Sequence, residues 1–355
     1  MQPVPLSLVI GEKGSGVSTL INTYRQRPDT ENTLIVDEGE GGLPEAWDSE
    51  AIAAWLATHQ QSYPTNIVLA SSDLRAPRQL LQALAELKLG RHFRLDAVTG
   101  VANAVTWSAE GWDGAGFDGA AEPEKAGGST IATNPQRHRH IGASDRIILT
   151  HTDRAQPSSV RQLATALKAL NPAAPVLRAY KGDIGPARLV ASGLIDPLNG
   201  SVDIDRWLCE AAFNFEAARR GCNTTGLNLP EAAFAGLSAA SGLRFFAITL
   251  DQPIDSAMLS VFLKLLMADH GADLLRLKGI IATQEHADQP GLIDGREHLI
   301  QPLLWLPTWP TTDRRTRLVF SMLNCSETWV RQLLTTLSDQ LNLADMPELQ
   351  LMMAE

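Results

Sequence analysis

The sequence predicts an α/β domain built on a mainly parallel sheet with helices on both faces, followed by a smaller C-terminal α+β domain. Three observations predict it. Strand-like and helix-like segments alternate through residues 1–200, the order that produces parallel strands joined by crossover helices. A glycine-rich loop follows the first apolar run and opens the first helix. The chain, at 355 residues, exceeds the usual single-domain size, and a second strand-and-helix pattern occupies residues 241–345.

Val4-Pro5-Leu6-Ser7-Leu8-Val9-Ile10 is apolar and β-branched, and reads as a buried strand. Further strands are expected at residues 33–36, 66–70, 97–101, 146–149 and 175–179. Between the last two, Val160, Leu163, Ala164, Leu167 and Leu170 recur at helical spacing, which predicts an amphipathic helix. Residues 108–136 are rich in Gly and Ala without a period, and predict a mobile surface loop. Residues 201–240 read as a partly helical connector. In the second unit strands are expected at 244–250, 274–283, 297–306 and 316–322. One helix carries Ile254, Met258, Val261, Phe262, Leu265 and Leu266, and the last carries Val330, Leu333, Leu334, Leu337 and Leu341.

Gly11-Glu12-Lys13-Gly14-Ser15-Gly16-Val17-Ser18-Thr19 fits the phosphate-binding pattern G-x-x-x-x-G-K-[ST] except at the lysine, where Val17 stands. Strand, loop and helix occur in the order that motif needs, which makes the first domain P-loop NTPase-like. In such a loop the backbone N–H groups and the helix N-terminus cradle phosphates, and the Ser18 hydroxyl ligates Mg²⁺. Gly11, Lys13, Gly14, Ser15, Gly16, Val17, Ser18 and Thr19 are therefore candidate nucleotide-binding residues. The bland alternative is a tight turn needing positive φ at Gly14 or Gly16, with no ligand. Lys13 offers a cation from a non-standard position, while Glu12 and Asp73 add opposing negative charge.

The net charge of −10 and the lack of a basic run argue against a nucleic-acid partner. No basic and apolar leader opens the chain, and no apolar stretch is long enough to cross a bilayer, so no membrane association and a cytoplasmic address are expected. Cys209, Cys222 and Cys325 are scattered and suggest neither disulfides nor a thiolate metal site; Cys209 and Cys325 read as buried small apolar residues.

Several segments in order resemble one family, the CobW/YjiA-type P-loop GTPases, relatives of the nickel-chaperone GTPases UreG and HypB. Residues 143–153 (ASDRIILTHTD) are similar to its guanine-recognition segment A-D-R-I-L-L-[NT]-K-T-D, and residues 167–175 (LKALNPAAP) to the L-x-x-[IL]-N-x-x-A-x that follows. Residues 71–77 (SSDLRAP) resemble the switch E-T-S-G-L-A-D-P, and Asp37-Glu38-Gly39-Glu40 the switch N-E-F-G. Residues 274–280 (LLRLKGI) match the L-L-R-x-K-G strand of the second domain, and 315–320 (RTRLVF) its R-S-x-[ML]-V-F.

The resemblance implies binding of GTP with Mg²⁺, with Thr150 and Asp153 at the base; Asp153 would accept hydrogen bonds from guanine N1 and N2, unless it only closes a turn or caps a helix. Departures cluster at the chemistry. Val17 replaces the lysine, Ala70 the switch glutamate, Asp73 the glycine near the γ-phosphate and His151 the lysine beside the base. The C-x-C-C metal motif should fall within residues 40–65, which hold no cysteine. Bound zinc or another metal is therefore not expected, and His138 and His140 are the remaining candidates, read as a solvated pair on a loop. The expected function is that of a degenerate member with weak or absent GTP hydrolysis, a binding or regulatory partner of a metalloenzyme or related GTPase. The alternative is a working GTP-dependent metal-insertion chaperone serving a metalloenzyme or cobalamin or zinc metabolism. Arg276, Trp305 and Trp309 are candidate partner-surface residues, since Trp and Arg concentrate at interface centres; the alternatives are a solvated strand face for Arg276 and packing for the two Trp.

Overall fold

The computed structural model describes residues 4–27, 30, 33–38, 49–59, 66–74, 78–80, 83, 92–109, 135–184, 189, 204–208, 242–296 and 299–344. The chain divides into two compact units, Met1–Leu243 and Arg244–Glu355.

In the first unit, β1 (Val4–Gly11) leads through the glycine loop into α1 (Val17–Arg25). Then follow β2 (Thr33–Asp37), α2 (Ser49–His59), β3 (Asn66–Ser71), β4 (Phe93–Asn103) and α3 (Ala104–Ala109). Next come α4 (Pro135–Ala143), β5 (Arg146–Thr150), α5 (Pro157–Leu170), β6 (Val176–Arg178) and α6 (Ile204–Leu208). The sheet runs β2–β3–β1–β4–β5–β6, and every pairing is parallel. Leu6, Leu8, Val9 and Ile10 of β1 are wholly buried, as expected of a central parallel strand covered on both faces. All six expected strands are present, most lengthened by a residue or more.

Val17, Leu20, Ile21 and Tyr24 form the buried stripe of α1 and pack with Val9, Val68, Val101 and Ile148 of the sheet. On α5 the predicted stripe holds, with Val160, Leu163, Leu167 and Leu170 buried. Because the strands are parallel, Gly11, Ser71, Asn103 and Thr150 share one sheet edge. Strand β1 lies between β3 and β4, so the chain order reverses there, and ligand crevices of open α/β sheets form at that point.

Of the expected loop 108–136, Ser108 and Ala109 end α3, and Pro135 and Gln136 begin α4. Residues 110–134, 201–203 and 209–240, with Cys209 and Cys222, fall outside the described residues; α6 is the described part of the expected connector.

In the second unit the order is β7 (Leu243–Leu250), α7 (Ser256–His270), β8 (Leu274–Ile281), β9 (Gly291–Arg296), β10 (Leu299–Ile300), β11 (Leu304–Trp305), β12 (Thr316–Leu323) and α8 (Glu327–Ala344). The sheet order is β10–β9–β8–β12–β7, with β11 paired to β9, and β8 antiparallel to both β9 and β12. Phe246, Phe262, Leu277, Phe320 and Val330 centre its core, with Phe246 stacked on Phe320. Asp255 caps α7 by accepting from Met258 N at 2.9 Å.

The strand expected at 297–306 is replaced by β9 and the two short pieces β10 and β11. Strand β9 was missed because its sequence, GLIDGR, has glycines and a central Asp, all weak strand formers. Among the described residues no helix is long and apolar enough to cross a membrane.

Candidate nucleotide site

The glycine loop leaves β1 and turns sharply, with Ser15 N donating to Glu12 O at 2.9 Å. Gly14 has φ 79° and Gly16 φ 91°, left-handed values that cost a side-chain-bearing residue about 1–2 kcal/mol. Gly16 is the N-cap of α1, and no side chain caps that helix or places an acid in its first turn. The first N–H groups of a helix have no partner inside it, so this terminus has the partial positive charge and free donors suited to an anion. Lys13, Gly14, Ser18 and Thr19 are exposed beside it. Among the described residues the Lys13 ammonium has no bonded partner. The donors of this terminus would suit a nucleotide polyphosphate, and exposed Ser18 would offer its hydroxyl to an accompanying Mg²⁺.

The loop is fastened from the neighbouring strand ends. Thr150 Oγ1 donates to Ser15 O at 2.5 Å, and Asn103 Nδ2 donates to Gly14 O at 3.0 Å. Thr150, expected to meet nucleotide, is buried and positions the loop instead. Its single proton goes to Ser15, so His151 Nδ1, 3.0 Å away, carries the hydrogen of their contact. His151 has φ 52°, and its Cε1 would lie 3.4 Å from a Cβ on Gly16, so the ring sits against the loop. Ser15 is buried, and among the described residues its Oγ finds no partner. Val17, in the lysine position, is 3 % exposed and belongs to the core under α1.

Glu12 does not add free negative charge to the loop. Arg137 of α4 donates from Nε to Glu12 Oε1 at 2.6 Å and from Nη2 to Oε2 at 2.8 Å, and Trp107 Nε1 donates to Oε2 at 3.0 Å. The guanidinium carbon also lies 4.8 Å from the Trp107 ring centroid. Burial pushes the Glu12 carboxyl upward, but the hydrogen bonds and charge of Arg137 outweigh it and hold it below the ordinary value. His140 meets Trp107 edge-on at 6.3 Å between ring centroids. It is fully buried, and among the described residues neither ring nitrogen has a partner. Burial pushes it down to about 4, Glu12 opposing and Arg137 adding to that shift. The expectation of a solvated pair on a loop is therefore corrected: His138 and His140 are buried on α4. Among the described residues no three His, Cys, Asp or Glu are grouped to hold a metal.

The two switch-like segments meet at one carboxylate. Glu38 Oε2 accepts from Ser71 Oγ at 2.8 Å and Ser72 N at 2.9 Å. Asp73 N donates to Ser71 Oγ at 3.0 Å. Gly39, Glu40 and residues 75–77 lie outside the described residues. Asp153 is exposed beyond β5, and among the described residues its carboxylate has no bonded partner.

In the second unit Arg276 is not a surface residue. It is 6 % exposed and forms a two-pronged pair with Asp294 of β9, including Nη2 to Oδ2 at 3.0 Å. Trp305 is 40 % exposed, its ring edge-on to His286. Trp309 is half-buried and donates from Nε1 to Ala287 O at 2.9 Å. Cys325 is buried as expected, and burial with the Asp273 charge pushes its thiol up to about 11.

A parallel sheet, a left-handed glycine loop at the switch point and an uncapped helix behind it define a P-loop NTPase-like fold. Family comparison agrees. The CobW/HypB/UreG nucleotide-binding domain matches residues 26–178, and the cobalamin synthesis protein cobW C-terminal domain matches 243–338. The chain belongs to the CobW/YjiA-type family of P-loop GTPases. The nucleotide-domain match begins beyond the glycine loop, the segment that carries Val17. The fold is similar to that of Zn(II)-bound YjiA GTPase from E. coli, with TM-score 0.61 and 17 % identity over 95 % of this chain and 99 % of that one. A Zn(II)-bound triple mutant of YjiA gives TM-score 0.59 and 16 % identity over the same shares. None of the curated proteins matches the chain by sequence.

Proposed function

We propose that this chain binds a guanine nucleotide but hydrolyses it weakly or not at all, and serves as a nucleotide-dependent binding or regulatory partner of a metalloenzyme or a related GTPase. The observation that carries the reading is the glycine loop: left-handed glycines and an uncapped helix N-terminus survive, while the lysine position is filled by a core valine. Binding draws on backbone donors, which remain. Catalysis needs fixed charges that strengthen on the developing transition state. The lysine and the switch glutamate are absent, and the Asp73 N–H, at the position the family aims at the γ-phosphate, is donated to Ser71. Each lost group of this kind costs about 10²–10³-fold in rate.

A working metal-insertion chaperone would need a metal site, and the zinc in the YjiA structures supports that second reading. Titration of a fluorescent GTP analogue, with and without Mg²⁺, tests binding; turnover by the same preparation tests hydrolysis. Saturable binding with background turnover is expected. Sustained multiple turnover would overturn the reading.

A further inference from the structure

We infer that Tyr180 is the stacking wall of the base subsite, set beside Asp153 so that one purine is held by its face and its edge together; this rests on the nucleotide reading above. Tyr180 is 64 % exposed, more than any other large apolar side chain among the described residues. The backbone beneath it is nevertheless firmly held. Residues 180–183 form a tight turn after β6, with Tyr180 N donating to Asp183 O at 3.2 Å and Asp183 N to Tyr180 O at 2.9 Å.

Two elements clamp that turn. On one side Gly182 lies against α1, where a Cβ would meet Thr23 Oγ1 at 2.8 Å and Thr19 Cγ2 at 3.0 Å. Arg27 adds an ion pair to Asp183. On the other side Ala179 N donates to Leu149 O at 2.9 Å, and Thr152 Oγ1 donates to Ala179 O at 3.5 Å. Thr152 and Ala179 thus touch, and the residues after them are Asp153 and Tyr180. An exposed carboxylate and an exposed aromatic ring therefore each follow a residue of this contact between neighbouring strand ends. The Tyr180 turn lies against Thr19 and Thr23 of α1 through Gly182.

The chemistry of this pair selects the ligand. A carboxylate accepts from the N1–H and N2–H of guanine, whereas adenine presents an acceptor at N1 and repels it. An aromatic face binds any base by stacking, worth about tenfold or more in affinity. The Lys181 ammonium lies 5.5 Å from the Tyr180 ring centroid, which occupies one face and leaves the other for a base.

The test uses the full chain and two probes, GDP and pyrophosphate, each titrated with Mg²⁺. Tyr180→Ala is expected to weaken GDP about tenfold and leave pyrophosphate unchanged, and Tyr180→Phe to bind GDP like the native chain. Unchanged GDP binding by Tyr180→Ala would overturn the inference, as would equal losses of GDP and pyrophosphate. If the native chain binds pyrophosphate as tightly as GDP, the base subsite fails while the phosphate reading stands. If it binds neither, the nucleotide reading fails and this inference with it.

Discussion

The glycine-loop region and the second unit's sheet both contain an arginine paired to a distant carboxylate, and they use it differently. Arg276 and Asp294 are 8 % and 2 % exposed at their side chains, and join the adjacent strands β8 and β9 inside the sheet. Arg137 is equally hidden at 5 %, but its partner Glu12 is 28 % exposed and belongs to a loop whose neighbours Lys13, Gly14 and Ser18 face solvent. Around Arg276 the charges answer each other. Around Arg137 the described residues also include a buried imidazole with no partner among them and a helix end with no side-chain cap. A buried polar group without a partner costs stability, so the imidazole and the helix end beside the loop support the nucleotide reading of that region, while the Arg276–Asp294 pair serves the sheet.

The sharpest way to break this contrast is at Arg276. Arg276→Glu sets two carboxylates against each other in the sheet and is expected to destabilise the protein by about 3–5 kcal/mol or more. Denaturant unfolding checks it; an unchanged midpoint would return Arg276 to the surface role expected from sequence. Replacing both partners with Met and Leu should recover most of the loss, because a buried pair often contributes little over apolar packing.

The next effect is in pH. His140 is neutral in the folded protein down to about 4, while an unfolded histidine takes up a proton near 6.5. Protons therefore favour the unfolded chain between those values, and stability falls as pH drops through that window. Linkage gives about 2 kcal/mol lost between pH 7.5 and 5. Glu12, with its carboxyl held low, adds a further loss at lower pH, as the folded carboxylate is protonated. His140→Leu should flatten the pH 5–7.5 part of the profile; an equally steep profile in that variant would remove His140 as the cause.

Arg137→Met keeps the stem against Trp107 and removes two charge-assisted hydrogen bonds, at a cost of about 1.5–3 kcal/mol. It also frees the Glu12 charge, so affinity for a GTP analogue should fall. Intact affinity would show that Glu12 lies too far from the phosphates to matter.

Val17→Lys is expected to act most mildly, as a gain. A lysine stem can occupy the Val17 position and turn its ammonium outward, raising affinity for a GTP analogue about tenfold. In that background Lys13→Ala should matter less than in the native chain. No gain would mean that the loop does not open to phosphate.

The strands and helices of the first unit were legible because their signal is local. A run such as residues 6–10 is apolar throughout, and Val160, Leu163 and Leu167 recur with the helical period. Strand β9 was not legible, because the Asp that weakens its pattern is buried by Arg276, a residue on another strand. The glycine loop could be read from its spacing, yet the roles of its neighbours could not. Thr150 became a fastener and Glu12 a neutralised charge through contacts 135 and 125 residues away.

By itself, then, the sequence determined the fold class, the loop and the missing lysine, since periodicity and motif spacing are properties of neighbouring residues. The tertiary structure alone decided that His138, His140 and Arg276 are buried, that Arg137 serves Glu12, and that Tyr180 is exposed on a turn held against α1. Charge pairing, desolvation and exposure depend on which distant segments the fold brings together, and no local pattern encodes that.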